Sequence, residues 1–326
     1  MVLGISPSPR VLVFGTGGIG AVCAFLLAKT LPAKNIIAVC RSNYLVAKKH
    51  GFTIESSRWG RCHVQPTVVR SVDEALLHKG NGFDYILVTT KSLPVASGEM
   101  HPIEPAVTSK TAVVLMQNGI GIEALFRARF PSNPILSTVA YTPVSQIAPT
   151  TFTHDKLDQL VLGTFPARAP LHHKQAVDNL CQLLTSGGAA ARHDEDIQLE
   201  RWKKLLINAA GNPICALACL PDASFFNTGQ GAIPFFRDVM KEVAETARAV
   251  GYEAINDEVI ESQLRILTSR PLPGFEPSML ADVKAGRPME VDAIIGNVIK
   301  VAESKGIHTP RLSTLYFLAR GLNQNL

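Results

Sequence analysis

Two regimes of apolar spacing follow one another along this chain of 326 residues. Up to about residue 165 the apolar residues gather in short continuous runs, over 11–14, 35–40, 83–88 and 112–116. Such runs predict parallel strands covered on both faces. Helix patterns lie between them: the apolar stretch 21–28, then 46–50 ended by Gly51, then one opened by Ser71 with Glu74 three places on, then 122–130. Residues 52–69 alternate weakly and predict short strands or loops. Beyond Pro134 the stretches 135–144, 150–154 and 159–163 alternate, which predicts an antiparallel extension of the same sheet. A helix over 171–184 stops at Gly187 and Gly188, and His172 with His173 reads as its solvated start rather than a metal pair. From Asp196 the pattern changes to long helices, over 200–220, from Ser278 to Gly286, from Glu290 to about Gly306, and over 311–322. The change predicts two domains, 1–194 and 195–326, the first α/β and the second all helical.

The first strand leads into Gly15-Thr16-Gly17-Gly18-Ile19-Gly20, which holds glycines at the three places of G-x-G-x-x-G. The first permits a tight turn, the second lets the backbone approach a pyrophosphate, and the third lets helix and strand pack closely. The helix behind it points unpaired N–H groups and its positive end at such an anion. A strand before and a helix after make this a Rossmann-type dinucleotide site. Arg41 ends the second strand, where an acidic residue would bond the adenine ribose and select NAD; a guanidinium suits a 2′-phosphate and selects NADP. Ser42 and Asn43 add neutral hydrogen bonds; the bland alternative for Arg41 is a solvated loop. Lys91 follows the third core strand, at the end where ligands bind. Asn118 follows the next, between Gln117 and Gly119, and presents an amide able to donate and accept. Its bland role is a turn-forming Asn-Gly.

In the second half, Lys204, Asn208 and Asn212 recur every four residues among apolar neighbours, which places them on one face of a helix. A lysine and two amides in such a helix are costly unless a ligand or water completes their bonds. Desolvation lowers a lysine pKa, so Lys204 can give up a proton near neutral pH. The alternative is a lysine that snorkels out beside two surface amides. Ser278 opens a later helix after Pro277, and its hydroxyl with the free N–H groups forms a small carboxylate cradle. Glu290 starts the helix after that, where an acidic residue is ordinary capping.

Composition narrows the field. Net charge is +5, without a Lys/Arg run of the kind that marks a nucleic-acid surface. No apolar stretch spans a membrane, and residues 1–9 carry neither signal-peptide nor transit-peptide features. The six cysteines form no disulfide framework and no zinc set, which points to a reducing cytoplasm. Cys215 and Cys219, four apart, read as small buried hydrophobes sharing a helix face.

Together these blocks resemble the ketopantoate reductase (2-dehydropantoate 2-reductase) family. The resemblance rests on the Gly15-x-Gly17-x-x-Gly20 turn with Arg41, on Lys91 and Gln117-Asn118-Gly119-x-Gly121, on Trp202-Lys203-Lys204-Leu205-x-x-Asn208-x-x-x-Asn212-Pro213, and on Ser278-Met279-Leu280-x-Asp282-x-x-x-Gly286-Arg287-x-x-Glu290-x-Asp292. It implies a Rossmann domain followed by an all-α domain of the 6-phosphogluconate dehydrogenase type, with the active site in the cleft between them. It implies NADPH as cofactor and a small keto acid as substrate, with no nucleic acid and no membrane as partner; pairing into a homodimer stays open. By matching position, Lys204 is the general acid. Asn118, Asn208, Asn212 and Ser278 bind substrate, and Asn118 also lies near the nicotinamide. Glu290 is catalytic with Lys204, which it tunes, and holds the polar end of the substrate; Arg41, Lys91, the turn 15–20, Asn118 and Glu290 hold the cofactor. The chain departs from the family pattern at Asp222, where an Asn is usual, and at Phe275, where some members carry a polar residue. A paralogue acting on another ketone or keto acid, or a non-catalytic NADP-binding regulator, are the competing readings.

Overall fold

The computed structural model describes residues 8–78, 82–92, 101–156 and 158–326. Its contacts divide the chain into two units. The first holds most of the chain up to Ile197, and the second holds 198–326 together with Ser92 and 118–122. Two short pieces of the first half of the sequence thus belong to the helical unit.

The strands and helices of the first unit, in chain order, begin with β1 (Val11–Phe14), α1 (Gly18–Ala28), β2 (Ile36–Val39), α2 (Tyr44–His50), β3 (Phe52–Ser56), β4 (Gly60–Val64), β5 (Thr67–Val69) and α3 (Val72–Leu77). They continue with β6 (Tyr85–Val88), β7 (Ala112–Leu115), α4 (Glu123–Arg129), β8 (Ile135–Tyr141), β9 (Val144–Ala148), β10 (Thr151–His154), β11 (Gln159–Thr164), α5 (Leu171–Ser186) and β12 (Ala190–His193). The main sheet has eight strands in the order β12-β11-β8-β7-β6-β1-β2-β5. The six from β5 to β8 run parallel, and β11 turns antiparallel against β8. Because β2, β1 and β6 are parallel neighbours, the glycine turn, Arg41 and Lys91 all leave the sheet at its carboxyl edge.

The antiparallel extension is therefore only half of what the alternating stretches become. β11 joins the main sheet, but β9 and β10 pair with β3 and β4 in a separate sheet of order β4-β3-β10-β9. Alternation encodes a strand with one covered face; it carries no information about which sheet the strand joins. The small sheet explains α1. Its residues from Gly20 to Leu27 are all buried, with no polar stripe. An apolar-all-round helix is covered on both sides: α1 lies against the main sheet and also against β4, β9 and α5. The start of α5 also departs from expectation, since His173 is buried and only His172 faces solvent. Burial holds His173 well below an ordinary imidazole, at about 4.

The second unit consists of α6 (Ile197–Ala218, counted in it from Gln198), α7 (Asp222–Phe226), α8 (Ala232–Ala249), α9 (Asp257–Thr268), α10 (Ser278–Lys284), α11 (Asn297–Ser304) and α12 (Pro310–Asn323). A π-helical turn over Asp292–Gly296 precedes α11. Its core gathers Leu206, Ala210, Phe236, Val243, Ile260, Ile295, Val298 and Leu312, and Ile120 from the inserted piece is buried within it. Side chains from other helices close helix starts here. Glu242 on α8 accepts from the backbone N–H of Arg311 and Leu312 at the start of α12, at 3.1 and 2.9 Å. Cys219 falls past the end of α6 with a φ of 56° and is exposed, so it does not share a buried face with Cys215. No helix among the described residues is long and apolar enough to cross a membrane.

Candidate active site

In the first unit the three glycines of the turn do different work. Gly15 has a φ of 94°, and a Cβ there would lie 2.4 Å from Cγ2 of Thr90 and 2.8 Å from its amide nitrogen. At Gly20 a Cβ would meet the Gly15 carbonyl at 2.7 Å and Oγ1 of Thr89 at 2.8 Å. Those two positions are closed by the residues just past β6 and by the turn itself. Gly17 is the opposite case: nothing lies within 4 Å of a Cβ built there. It is the N-cap of α1 and makes no side-chain cap, so no side chain of the turn covers the first N–H groups. This open, uncapped helix start is what a pyrophosphate needs, and the residues present fit a dinucleotide. Thr16 is buried and faces inward, its hydroxyl and amide both directed at the Val39 carbonyl at 3.2 Å. Gly18 is closed by Val144, whose Cγ1 would lie 2.8 Å from a Cβ, and Ile19 packs on the core. Arg41 is exposed one residue beyond Cys40, with the amide of Asn43 holding the Thr16 carbonyl at 2.9 Å. Lys91 is partly buried, just past the Thr90 that closes Gly15.

In the second unit five of the expected residues come together through hydrogen bonds, Lys204, Asn118 and Glu290 in one series and Asn212 with Ser278 as a pair. The Lys204 amine donates to Oδ1 of Asn118 at 2.9 Å. Nδ2 of Asn118 reaches Oε2 of Glu290 at 3.4 Å, and Oε1 of Glu290 accepts from the Ser92 amide at 2.8 Å. An ammonium can only donate and a carboxylate only accept, so the Asn118 amide has a single consistent orientation between them. Glu290 stands at a helix start as expected, its carbonyl accepting from the Ile294 amide at 3.1 Å, and its carboxylate is turned to Ser92 and Asn118.

Lys204 is a perturbed base. Its pKa is lowered from 10.5 to about 8, first by desolvation and then by the positive charge of Arg201, while Glu290 acts in the opposite sense. Arg201 was not singled out from the sequence. It is buried on α6 and donates to the Gly119 carbonyl at 2.8 Å. Its place three residues before Lys204 is the only signal the sequence held.

The segment 118–122 is docked backbone to backbone. A Cβ on Gly119 would lie 2.2 Å from the Ala293 carbonyl, and the Ile120 amide donates to that same carbonyl at 3.1 Å. The π turn widens the helix and pairs the Asn297 amide with the carbonyl of Asp292. Ala293 is left to face the inserted segment. Asn297 completes the dock by donating to the Ile120 carbonyl at 2.7 Å.

The other stripe residues divide. Asn212 is buried, and its Oδ1 accepts from the Ser278 hydroxyl at 3.1 Å and from the Met279 amide at 3.0 Å. The expected carboxylate cradle at the start of α10 is thus taken by Asn212, because a buried amide oxygen needs a donor and the first turn supplies one. Asn208 is partly exposed, and its side-chain amide hydrogen-bonds to no described residue. Asp222 is buried, and one of its oxygens accepts from the Ala223 and Phe275 amides, both at 2.7 Å. Its other oxygen pairs with Arg270, whose guanidinium lies 5.3 Å from the Phe275 ring centroid. Asp222 is a latch on the loop before α10, with its carboxylate committed to that loop. No group of His, Cys, Asp or Glu among the described residues could hold a metal ion.

Residues 11–167 match the family described as Ketopantoate reductase PanE/ApbA, and 196–323 match its C-terminal counterpart, Ketopantoate reductase PanE/ApbA C terminal. An uncharacterized protein of Saccharomyces cerevisiae is 32% identical, over 95% of this chain and 92% of its own. The crystal structure of 2-dehydropantoate 2-reductase from Methylococcus capsulatus superposes with a TM-score of 0.82 at 29% identity, over 97% of both chains. A D-mandelate dehydrogenase, solved with NADH and anilino(oxo)acetate, shares the fold with a TM-score of 0.82 at 19% identity, over 97% of this chain and 98% of that one. The α/β unit with its glycine turn, the helical unit and the two matched segments lead to one conclusion: this chain belongs to the ketopantoate reductase family of oxidoreductases.

Proposed function

We propose that this chain reduces a 2-oxo acid with NADPH, 2-dehydropantoate to pantoate being the leading substrate pair, and that Lys204 is the general acid. The observation that carries the reading is the hydrogen-bonded series Lys204–Asn118–Glu290 around an amine whose pKa lies at about 8. An amine with that value is still charged at neutral pH and gives up its proton far more readily than an ordinary lysine. Members of the same fold take a nicotinamide cofactor, as the mandelate dehydrogenase bound to NADH does. The exposed Arg41 at the end of β2 supports the phosphorylated form here.

A bound reduced nicotinamide supplies the hydride. The protein's own part is electrostatic and protonic. Negative charge grows on the carbonyl oxygen as the hydride adds, and the Lys204 ammonium meets that charge and then releases a proton to it from Nζ. Asn118 accepts one N–H of the amine and so orients it, with Glu290 and the Ser92 amide fixing Asn118 from behind. Asn208 offers an amide to the substrate. The Ser278 oxygen, its proton given to Asn212, is the second polar contact and accepts from a hydroxyl of the substrate. Gly17 and the first turn of α1 take the pyrophosphate, and Lys91 and Arg41 add positive charge along the same sheet edge.

One observation favours a bulkier substrate than 2-dehydropantoate. Phe275, three residues before Ser278, is 43% exposed, and its backbone is latched by Asp222. A fixed aromatic there suits an apolar substituent on the keto acid. The test is NADPH consumption with 2-dehydropantoate and with a series of larger aliphatic and aromatic 2-oxo acids, each repeated with NADH. Turnover of 2-dehydropantoate supports the leading reading, and turnover of the larger acids alone selects the second. NADPH binding without turnover of any would replace both with a regulator.

A further inference from the structure

Arg201 is a second cation on the face of α6 that carries Lys204, one turn earlier. It is 3% exposed, an expensive place for a guanidinium. Its NH1 reaches the carbonyl of Gly119, the residue directly after Asn118. The segment bearing Asn118 is then gripped from two sides, by Arg201 on one and by Ala293 and Asn297 on the other. Arg201, from its own helix, and Glu290, from the segment before the π turn, both act on the charge of the Lys204 amine. Of its helix neighbours, Lys203 is paired with Glu200 at 2.9 Å.

We propose that Arg201 is a positioning residue with two separable effects: it fixes Asn118 through the Gly119 carbonyl, and its charge makes the Lys204 ammonium a readier proton donor. The inference rests on Lys204 being the proton donor of the reaction. It agrees with the lowered Lys204 pKa, where the Arg201 charge outweighs the opposing charge of Glu290.

The two effects respond differently to substitution. Arg201→Met removes both charge and hydrogen bond, and Arg201→Gln removes the charge while keeping an amide donor. Arg201→Lys keeps the charge and loses the planar fork. The experiment measures kcat for reduction against pH for the three variants. Alongside it, the pH dependence of Lys204 acylation by an amine reagent is followed by mass spectrometry, which needs no turnover. Expected are a shift of both profiles to higher pH by about one unit in Met and Gln, and little shift in Lys. Maximal kcat falls about 10- to 100-fold in Met and Lys, where Asn118 is no longer held. Should Met fail to fold, Gln carries the charge test alone. Unmoved profiles in the neutral variants, in protein whose Lys204→Ala counterpart is inactive, overturn the role of Arg201. A Lys204→Ala enzyme with full activity removes the proton donor itself, and this inference with it.

Discussion

Lys204 and Asn118 stand 86 residues apart in the chain, and the amine of one donates to the amide oxygen of the other at 2.9 Å. That bond joins the first long helix of the second unit to a piece of chain inserted from the first half of the sequence. It fixes the direction of the one side chain in the stripe that can both stabilise an oxyanion and protonate it.

Replacing Lys204 with Ala should therefore lower kcat by about 10²–10⁴ and leave NADPH affinity within a few-fold of the parent. Nucleotide binding followed by fluorescence, beside steady-state rates, separates the two. Loss of binding in step with loss of rate would assign Lys204 to the cofactor instead of the chemistry.

The lowered Lys204 pKa sets the sign of the pH dependence. Below about 8 the amine carries its proton and reduction runs at its plateau; above it the neutral amine has no proton to give. The reduction rate should fall about tenfold per unit at higher pH, and the reverse oxidation, which needs the neutral amine, should rise through the same region. Single-turnover rates across this range are the measurement. A plateau reaching toward 10.5 would mean the amine is not desolvated in the working enzyme.

Gly15 and Gly17 should part company when each becomes Ala. A Cβ at Gly15 adds strain at a φ of 94° and a 2.4 Å contact with Thr90, so Gly15→Ala is expected to cost about 2–5 kcal/mol of stability. Gly17 has open space around it, so Gly17→Ala should melt close to the parent while losing nucleotide affinity. Thermal melts with and without NADPH decide this, and a parent-like ligand-induced rise in Tm for Gly17→Ala would move the pyrophosphate elsewhere.

Arg41→Ala should weaken NADPH and leave NADH nearly unchanged, because only the former carries the 2′-phosphate. A charge-assisted contact at an exposed site corresponds to about 1.5–3 kcal/mol, or roughly 10- to 100-fold in Kd. Equal losses for both nucleotides would show that the phosphate is read by another residue.

Much of this could be read from local pattern. The run 11–14, the turn 15–20, the capping pair Ser71 and Glu74, and the helices ended by Gly51 and by Gly187-Gly188 all fall where the sequence predicts them. The stripe Lys204, Asn208, Asn212 is also helical as expected. These signals work because strand alternation, helical spacing and glycine turns are set by neighbours within a few residues. Partner choice was harder. Nothing near Asn212 announces that its amide oxygen closes a helix start 67 residues on, and nothing near β9 and β10 says that β3 and β4 await them.

Residue order alone settled the classes of element, the glycine turn and the family, since each is written in short-range spacing. The tertiary structure decided which polar groups share a site. Asn118 reaches Glu290 across 172 positions, Arg201 reaches Gly119 across 82, and the π turn that receives the inserted segment has no spacing of its own in the sequence. A buried polar atom must find a partner wherever the folded chain supplies one, and that search is made in three dimensions, after the local elements have formed.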